Sequence, residues 1–165
     1  MFAYLPAEAH LDDAADIYRS NRAYLSRIDP LPDNPADAVR RDCQRLPPAG
    51  AEKLFCLISE HGQAVAILDY LHGYPDADCA YIGLLLVHGR LHGQGTGGRI
   101  VADFCRRMRR AGFQRVRLSV LYDNPDACRF WLRQNFVPVA RKTVVFRTRS
   151  GSMMKAVNVL QKNLR

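Results

Sequence analysis

The sequence lacks any apolar stretch long enough to cross a membrane. Its longest apolar run, Tyr81–Val87, has the length of a strand, whereas a spanning helix needs about 20 apolar residues. The first residues, Met1–Pro6, carry neither the basic flank nor the apolar core that marks a signal peptide. We therefore expect a cytoplasmic protein with no membrane partner.

Cysteine pairs are missing as well. The five cysteines are scattered without a C-x-x-C spacing, and an odd number without short spacings argues against a disulfide framework and against a zinc site. His88 and His92 are four residues apart, but that spacing suits a metal on a helix and Gly89 indicates a loop. The sequence predicts no metal site, and reduced thiols that serve as small core residues.

Acidic residues are scarce in the C-terminal half. Residues 90–165 contain 3 acids and 17 bases, whereas residues 1–89 contain 13 acids and 7 bases. Arginine supplies most of the positive charge, with 20 Arg against 4 Lys. A charge separation of this size indicates an anionic partner, which could be a phosphorylated cofactor, a nucleic acid or an acidic protein.

No repeat, low-complexity tract or Gly/Ser linker interrupts the 165 residues, so we expect one domain over residues 1–165. Hydrophobic periodicity predicts the order ααβββαβαββ, a mixed sheet covered by helices. The third strand is apolar throughout, which predicts burial on both faces. The predicted helices are Leu11–Ile28, a helix from Asn34 to before Pro47, a helix from Arg99 to before Gly112, and Asn124–Gln134. The predicted strands are Lys53–Ser59, Ala64–His72, Cys79–Val87, Gln114–Leu121, Phe136–Arg147 and Met153–Gln161, with a short extra strand at Ala3–Pro6.

Four glycines lie within the six residues Gly93–Gly98, between the third strand and a helix. The N-terminus of a helix presents unpaired N–H groups and the positive end of the helix dipole. Glycine has no Cβ, so a phosphate can come within hydrogen-bond reach of those groups. The segment therefore predicts a pyrophosphate site.

The glycine segment differs from one known nucleotide-binding motif and partly matches another. No lysine follows the glycines, which excludes a P-loop for nucleoside triphosphates. Gly93-x-Gly95-x-x-Gly98 does match the dinucleotide fingerprint, and Asp123 ends the next strand where a ribose-binding acid would lie. Against this interpretation, His88–His92 separate the strand from the first glycine, and only 67 residues follow Gly98, too few for a doubly wound sheet.

Two motifs in register resemble those of the GNAT superfamily of N-acetyltransferases. The first family motif is a strand, then Gln/Arg-x-x-Gly-x-Gly/Ala, then a helix, and here Tyr81–Val87 is followed by His92-x-x-Gly95-x-Gly97. The second is an Asn, an aromatic pair and Gly-Phe, and here it reads Asn124, Phe130-Trp131 and Asn135-Phe136. The resemblance covers roughly residues 53–161.

The resemblance implies an α/β fold with a mixed, mostly antiparallel sheet of six to seven strands and about four flanking helices. In that fold the strands Cys79–Val87 and Gln114–Leu121 splay apart. Acetyl-CoA is implied as cosubstrate, with its pantetheine arm in the gap. The cofactor-binding residues implied are Leu85, Leu86 and Val87 for the arm; His92, Gly93, Gln94, Gly95, Thr96, Gly97 and Gly98 for the pyrophosphate; Asn124 near the thiol end; and Arg133 or Arg99 near the 3′-phosphate.

The chain departs from the family pattern at three positions. His92 replaces the usual Gln or Arg, whose role is largely through the main chain. Trp131 replaces the usual catalytic tyrosine, and an indole N–H cannot act as a general acid at neutral pH. We expect Trp131 to pack against the cofactor rather than to take part in the reaction. Asn135 replaces a glycine, a mild change because Asn tolerates the left-handed conformation.

Acetyl transfer needs a neutral amine, a polarised carbonyl and a stabilised thiolate. Asp69 is the candidate base because partial burial in an apolar strand can raise a carboxyl pKa toward a useful range. Tyr122, beside the Asn124 turn, is the candidate acid, and the main-chain N–H near Leu85 is the candidate donor to the carbonyl. The alternatives for the base are Tyr70, Asp76, Asp78 and a water chain.

The favoured function is direct acetyl transfer to a primary amine of a small molecule or a protein, with a homodimer left open. Three other functions compete: a non-catalytic acyl-CoA-binding or regulatory module, a nucleic-acid-binding domain, and a dinucleotide-binding protein. No aromatic-basic alternation or reader motif supports nucleic acid. The segments expected to shape the acceptor site, Leu11–Pro48 and Gly73–Asp78, are acidic on balance, which favours a cationic acceptor.

Overall fold

The computed structural model describes all 165 residues, and its seven strands form a single sheet with helices on both faces. The strands are β1 (Phe2–Pro6), β2 (Glu52–Glu60), β3 (Gln63–His72), β4 (Cys79–Val87), β5 (Arg115–Leu121), β6 (Val137–Thr148) and β7 (Gly151–Asn163). The helices are α1 (Leu11–Ser20), α2 (Arg22–Leu25), α3 (Pro35–Gln44), α4 (Thr96–Arg110) and α5 (Pro125–Arg133). None of them combines the length and the hydrophobicity needed to cross a bilayer.

The sheet has the order β1-β2-β3-β4-β5-β7-β6. Every neighbouring pair is antiparallel except β4 and β5, which are parallel. The predicted mixed, mostly antiparallel α/β sheet is therefore confirmed.

The predicted first helix, Leu11–Ile28, is wrong in two respects, because it breaks at Asn21 and its second part, α2, ends at Leu25. The Asn21 amide donates to the Ile17 carbonyl at 2.9 Å and to the Val87 carbonyl at 3.0 Å. An asparagine that bonds to nearby main chain competes with the helical ladder. The chain therefore has five helices, one of them a single turn.

Two of the other helices, α3 and α5, begin where the sequence predicts. Asn34 and Asn124 each precede a proline, and their side-chain oxygens accept from the main-chain N–H of Ala36 at 3.1 Å and of Ala127 at 3.2 Å. Proline at the first helical position has no N–H to satisfy, so an Asn cap followed by Pro is a consistent start signal.

The core has a separate cluster on each face of the sheet. The larger cluster lies under α4 and α5 and includes Leu68 and Tyr70 of β3. The smaller cluster lies under α1 and α3 and includes Ile67. Because successive side chains of a strand point to opposite faces, Asp69 lies on the α1/α3 face.

Strands β4 and β5 pair only from Cys79–Ile82 to Arg115–Leu118 and then separate. The divergence begins at Gly83, which has no partner on β3 because Ile82 pairs with Tyr70 and Leu84 pairs with Asp69. Such an extra residue is a β-bulge, which bends and twists its strand. The implied splay is confirmed.

The same gap corrects the expectation that β4 is buried on both faces. Gly83 is exposed, and Leu84, Leu85 and Val87 are only half-buried. The reason is that the outer half of β4 has no neighbouring strand on its β5 side.

Candidate functional site

The glycine segment lies at the open end of the gap. After β4 the chain makes one 3-10 turn at Gly89–Leu91, and α4 begins at Thr96, three residues before the predicted start. Gly97 and Gly98 therefore belong to the first helical turn. Gly93 (φ 74°) and Gly95 (φ 76°) adopt the left-handed conformation that glycine accepts without strain.

Five main-chain N–H groups of this segment donate to no acceptor in the protein; they belong to Gly93, Gly95, Thr96, Gly97 and Gly98. The Gln94 N–H reaches the Leu91 carbonyl at 3.4 Å, and the Arg99 N–H begins the helical ladder on the Gly95 carbonyl at 3.1 Å. A group of unpaired amides at the positive end of a helix is suited to bind an anion.

The first turn of α4 packs closely against α5. A Cβ on Gly97 would lie 3.2 Å from the Phe130 ring, and a Cβ on Gly98 would lie 3.2 Å from Oε1 of Gln134. These glycines therefore allow the two helices to approach. The packing brings the two sequence motifs into direct contact.

Side chains of the loop that follows β4, residues 88–95, form hydrogen bonds that hold it against β4. The His92 ring donates from Nε2 to the Val87 carbonyl at 2.8 Å, and the Gln94 amide donates to the Arg90 carbonyl at 2.7 Å. His88 Nδ1 accepts from the Arg90 N–H at 3.2 Å, so Nε2–H donates to Asp16 at 2.9 Å. This hydrogen bond from His88 lowers the pKa of Asp16. Hydrogen bonds of its own side chains thus attach the loop to β4 and to α1.

The main chain of β4 differs in its accessibility from residue to residue. The His88 N–H donates to the Val65 carbonyl at 2.8 Å, and in an antiparallel ladder alternate residues share hydrogen bonds with the partner. Leu86 therefore bonds to β3, and its side chain is buried under α1. Leu85 and Val87 direct their main-chain groups into the gap. The Val87 carbonyl is already taken by His92 and Asn21, so Leu85 is the most available of the three.

Asp69 lies beside the bulge where the strands separate. A Cβ on Gly83 would be 3.7 Å from Oδ2 of Asp69, and Nζ of Lys53 is 3.4 Å from the same oxygen. Burial raises the pKa of Asp69, and the Lys53 ammonium opposes that rise. Lys53 also donates to the Asp42 carbonyl at 2.6 Å. The carboxyl group is therefore at the gap, with a raised pKa.

The other candidate bases lie elsewhere. Asp76 and Asp78 bind Arg115 at 2.9 and 2.8 Å, at the end of the sheet opposite to the glycine segment. Tyr70 faces α4, where its ring packs edge-on against Phe104, and burial raises its pKa to about 12. Of the predicted carboxylates, only Asp69 is near the gap.

The second motif and the neighbouring Tyr122 contain both buried and exposed side chains. Trp131 is 8% exposed and packs edge-on between Phe130 and Phe136, at centroid distances of 5.0 and 5.2 Å. Tyr122 is 55% exposed, with the Arg141 guanidinium 3.7 Å from its ring centroid. Asn124 is 5% exposed; its oxygen caps α5, and its Nδ2 donates to no protein acceptor.

The two arginines expected near the 3′-phosphate differ in their partners. Arg99 binds Glu60 through both guanidinium nitrogens, at 2.5 and 3.0 Å. Arg133 is exposed, forms no ion pair, and precedes Gln134, which contacts Gly98. Arg133 is therefore the arginine that is free to bind an anion.

Two features of this region had no signal in the sequence. Tyr81 of β4 and Ser119 of β5 form a hydroxyl–hydroxyl hydrogen bond of 2.7 Å, which depends on the parallel register. In addition, Arg149 in the β6–β7 turn binds Asp29 through its main-chain N–H at 3.3 Å and Pro30 through its guanidinium. The segment between α2 and α3 is thereby attached to the β6–β7 turn.

Comparison with known proteins identifies one family. The sequence model of the Acetyltransferase (GNAT) family matches residues 14–136. An acetyltransferase from Thermus thermophilus superimposes with a TM-score of 0.72 at 21% identity, over 99% of this chain and 97% of that one. The ribosomal-protein-S18-alanine N-acetyltransferase from Escherichia coli gives 0.70 at 14%, over 99% and 93%.

A further structural match contains a ligand. It is a Bacillus anthracis protein named for streptothricin acetyltransferase, solved in complex with acetyl coenzyme A, with a TM-score of 0.56 at 16% identity over 68% of this chain and 63% of that one. Among curated sequences, none matches this chain at a significant level. At such identities the structural likeness shows the fold alone.

Proposed function

This chain belongs to the acetyltransferase (GNAT) family, whose cosubstrate is acetyl-CoA, and we propose that it transfers the acetyl group directly to a primary amine of a small molecule or a protein. The observation that carries this proposal is the set of five unpaired amides at Gly93, Gly95, Thr96, Gly97 and Gly98. A diphosphate is the anion that suits several convergent N–H groups at a helix start.

The remaining cofactor contacts follow from the accessible groups around the gap. The free main-chain groups of Leu85 and the N–H of Val87 would pair with the amides of a pantetheine arm. Leu86 has no such group available, because its main chain bonds to β3. Arg133 would bind the 3′-phosphate, since it has no carboxylate partner and guanidinium groups bind phosphate well. His92 and Gln94 contribute by holding the loop in shape.

Asn124 gives a prediction that separates stability from cofactor binding. Asn124→Ala removes the cap of α5 and should lower the free energy of unfolding by about 1 kcal/mol. Asn124→Asp keeps a capping oxygen but removes the Nδ2 donor, so its melting temperature should stay close to that of the wild type while its affinity for CoA falls. Denaturant melts and calorimetric titration with CoA measure the two effects. Equal CoA affinity in Asn124→Asp and wild type would exclude a cofactor contact from this amide.

We propose Asp69 as the group that accepts the proton of the attacking amine. Burial raises its pKa, which brings a carboxylate closer to the basicity that general-base catalysis needs at neutral pH. The Lys53 ammonium, 3.4 Å away, opposes this rise in pKa and so favours the ionised carboxylate that a base needs. Trp131 is assigned a packing role, because it lies in the core between two phenyl rings. Tyr122 stays a prediction as proton donor, with its ring under Arg141.

The test of this function has two stages. The first is calorimetric titration of the protein with CoA. The second follows thiol release from acetyl-CoA in the presence of single amines: spermidine, free amino acids, and peptides with either a free N-terminal amine or a lysine. We expect CoA uptake, and thiol release that depends on at least one amine.

A non-catalytic acyl-CoA-binding module is the alternative, and the absence of the usual tyrosine at Trp131 favours it. CoA uptake without amine-dependent thiol release would support this alternative, and the absence of CoA uptake would contradict both. A cytoplasmic location is part of the proposal, supported by five free cysteines of the kind that a reducing compartment preserves.

A further inference from the structure

A pair of hydroxyl groups lies at the narrow end of the gap. Tyr81 Oη on β4 is 2.7 Å from Ser119 Oγ on β5. The last main-chain pair between the two strands is Ile82 with Leu118, so Ser119 is the first residue of β5 beyond the paired segment. The pair joins the two strands at the point where they begin to separate.

The hydroxyl pair and Asp69 share one face of the sheet. Ile82 and Leu118 belong to the cluster under α4, so their neighbours Tyr81 and Ser119 point to the α1/α3 face, as Asp69 does. Between them lies Gly83, which is exposed and has no side chain. The exposed surface at Gly83 is therefore bordered by the Asp69 carboxyl group on its β3 side and by the Tyr81 and Ser119 hydroxyl groups on its β5 side.

The hydrogen-bond count leaves one hydroxyl hydrogen unused. Two hydroxyl groups carry two hydrogens, and the bond between them uses one. Neither hydroxyl forms another hydrogen bond in the protein. A phenol is a stronger acid than an alcohol, and Ser119 is the more exposed of the two residues, so we take the Tyr81 phenol as the donor to Ser119 and the Ser119 hydrogen as the free one.

The surroundings of Tyr81 hold this arrangement in place. The Tyr74 ring lies edge-on to the Tyr81 ring at a centroid distance of 5.2 Å. Burial raises the pKa of Tyr81, so the phenol keeps its proton throughout the neutral range. Tyr81 is therefore a steady hydrogen-bond donor to Ser119.

We propose, on the basis of the proposed function, that Ser119 is a catalytic hydrogen-bond donor to the thioester sulfur and that Tyr81 is the residue that positions it. An arm laid along Leu85 from the glycine segment would direct its sulfur toward Gly83, where this pair lies. The tyrosine that the family uses in this role is replaced by Trp131, whose ring is in the core. The Tyr81–Ser119 pair supplies a donor from the strands instead of from α5.

The proposed step balances without a further reactant. The amine nitrogen forms the bond to the acetyl carbonyl carbon and loses one proton to Asp69. The carbon–sulfur bond breaks, and its electron pair stays on sulfur. Ser119 donates its hydrogen bond to the sulfur as negative charge develops there, and the departing thiolate takes a proton from solvent. Asp69 returns its proton to solvent, and the products are the amide and the free thiol.

The first experiment measures the thiol of bound CoA and needs no acceptor. A donor at the sulfur favours the thiolate, so its loss should raise the pKa of the bound thiol by about one unit, read from thiolate absorbance in the ultraviolet. We expect this rise in Ser119→Ala, and a smaller rise in Tyr81→Phe. Ser119→Thr keeps the hydroxyl and should match the wild type, as should Tyr74→Phe, which removes a nearby hydroxyl outside the pair.

The second experiment measures acetyl transfer from acetyl-CoA to hydroxylamine, a small amine that is neutral at pH 7 and needs no binding pocket. Ser119→Ala should lower kcat by about tenfold, the factor that corresponds to one pKa unit, without raising the KM for acetyl-CoA. The double variant Tyr81→Phe/Ser119→Ala should be no slower than Ser119→Ala, because the two residues act as one unit.

Two results would overturn the inference while the proposed function stands. One is an unchanged thiol pKa in Ser119→Ala; the other is a loss of activity in Ser119→Thr as large as in Ser119→Ala. Both outcomes require a wild type that binds CoA and releases thiol. A wild type that does neither contradicts the proposed function as well, so the two failures are distinguishable.

Discussion

Replacing Gly95 with aspartate is expected to abolish CoA binding while the fold is retained. A side chain at Gly95 meets nothing within 4 Å, so a carboxylate there has room beside the unpaired N–H groups of Gly97 and Gly98. Its negative charge is attracted to these groups and repels a diphosphate. Because each hydrogen bond to a charged group contributes about 1.5–3 kcal/mol, losing two should weaken CoA binding by at least about 100-fold.

Stability should change little in this variant. The left-handed conformation at Gly95, φ 76°, costs an aspartate about 1 kcal/mol, and a negative charge at a helix N-terminus returns about 0.3–1 kcal/mol. Thermal melts should therefore give similar midpoints, while calorimetry with CoA should give no measurable heat.

Gly95→Asn is the matched control for the charge. It has the shape of aspartate and tolerates the same backbone conformation, but it is neutral, so it should lose less affinity than Gly95→Asp. If Gly95→Asp bound CoA as tightly as the wild type, the amides at the start of α4 would not be the pyrophosphate site.

Asp69→Asn is expected to lower kcat by about 100-fold or more, the usual contribution of a general base. Asparagine has nearly the same shape, so the bulge at Gly83 and the affinity for CoA should be preserved. Asp76→Asn is the matched control, since Asp76 binds Arg115 at the far end of the sheet. Steady-state kinetics with an amine identified in the panel measure the effect. Retention of more than half of the wild-type kcat in Asp69→Asn would assign the proton to another acceptor.

The ion pair between Lys53 and Asp69 leads to a prediction about how activity depends on pH. The ammonium lowers the pKa of Asp69 against the effect of burial, so Lys53→Met should raise that pKa further. A base works when deprotonated, so activity increases as pH rises through the pKa of Asp69. The acidic limb of the kcat/KM profile should therefore move to higher pH in Lys53→Met, and a shift to lower pH would contradict the assignment.

Sequence patterns predicted the local elements well because the signals are local. Asn34-Pro35 and Asn124-Pro125 each combine a capping side chain with a residue that starts a helix, and both helices begin there. The apolar run Cys79–Val87 was predicted with its observed bounds. The break at Asn21 was missed, because the Val87 carbonyl that binds its amide is distant in the chain.

The glycine segment was the part of the site that could be predicted from its residues. Glycines between a strand and a helix leave amides unpaired because an α-helix has no acceptors for its first N–H groups. The candidate bases could not be ranked in this way. Asp69, Asp76 and Asp78 are the same residue type, so the sequence does not distinguish them as candidate bases. The structure does, because Asp69 lies beside the bulge at Gly83 whereas Asp76 and Asp78 form ion pairs with Arg115.

The sequence by itself determined the order of the elements, the unpaired amides of the glycine segment and the positive charge of the C-terminal half, since these depend on neighbours along the chain. The tertiary structure alone decided which main-chain groups face the gap, that Trp131 packs in the core, and that Tyr81 meets Ser119. The physical reason is that these features depend on register and on the face of a strand, and a shift of one residue in pairing would reverse each of them.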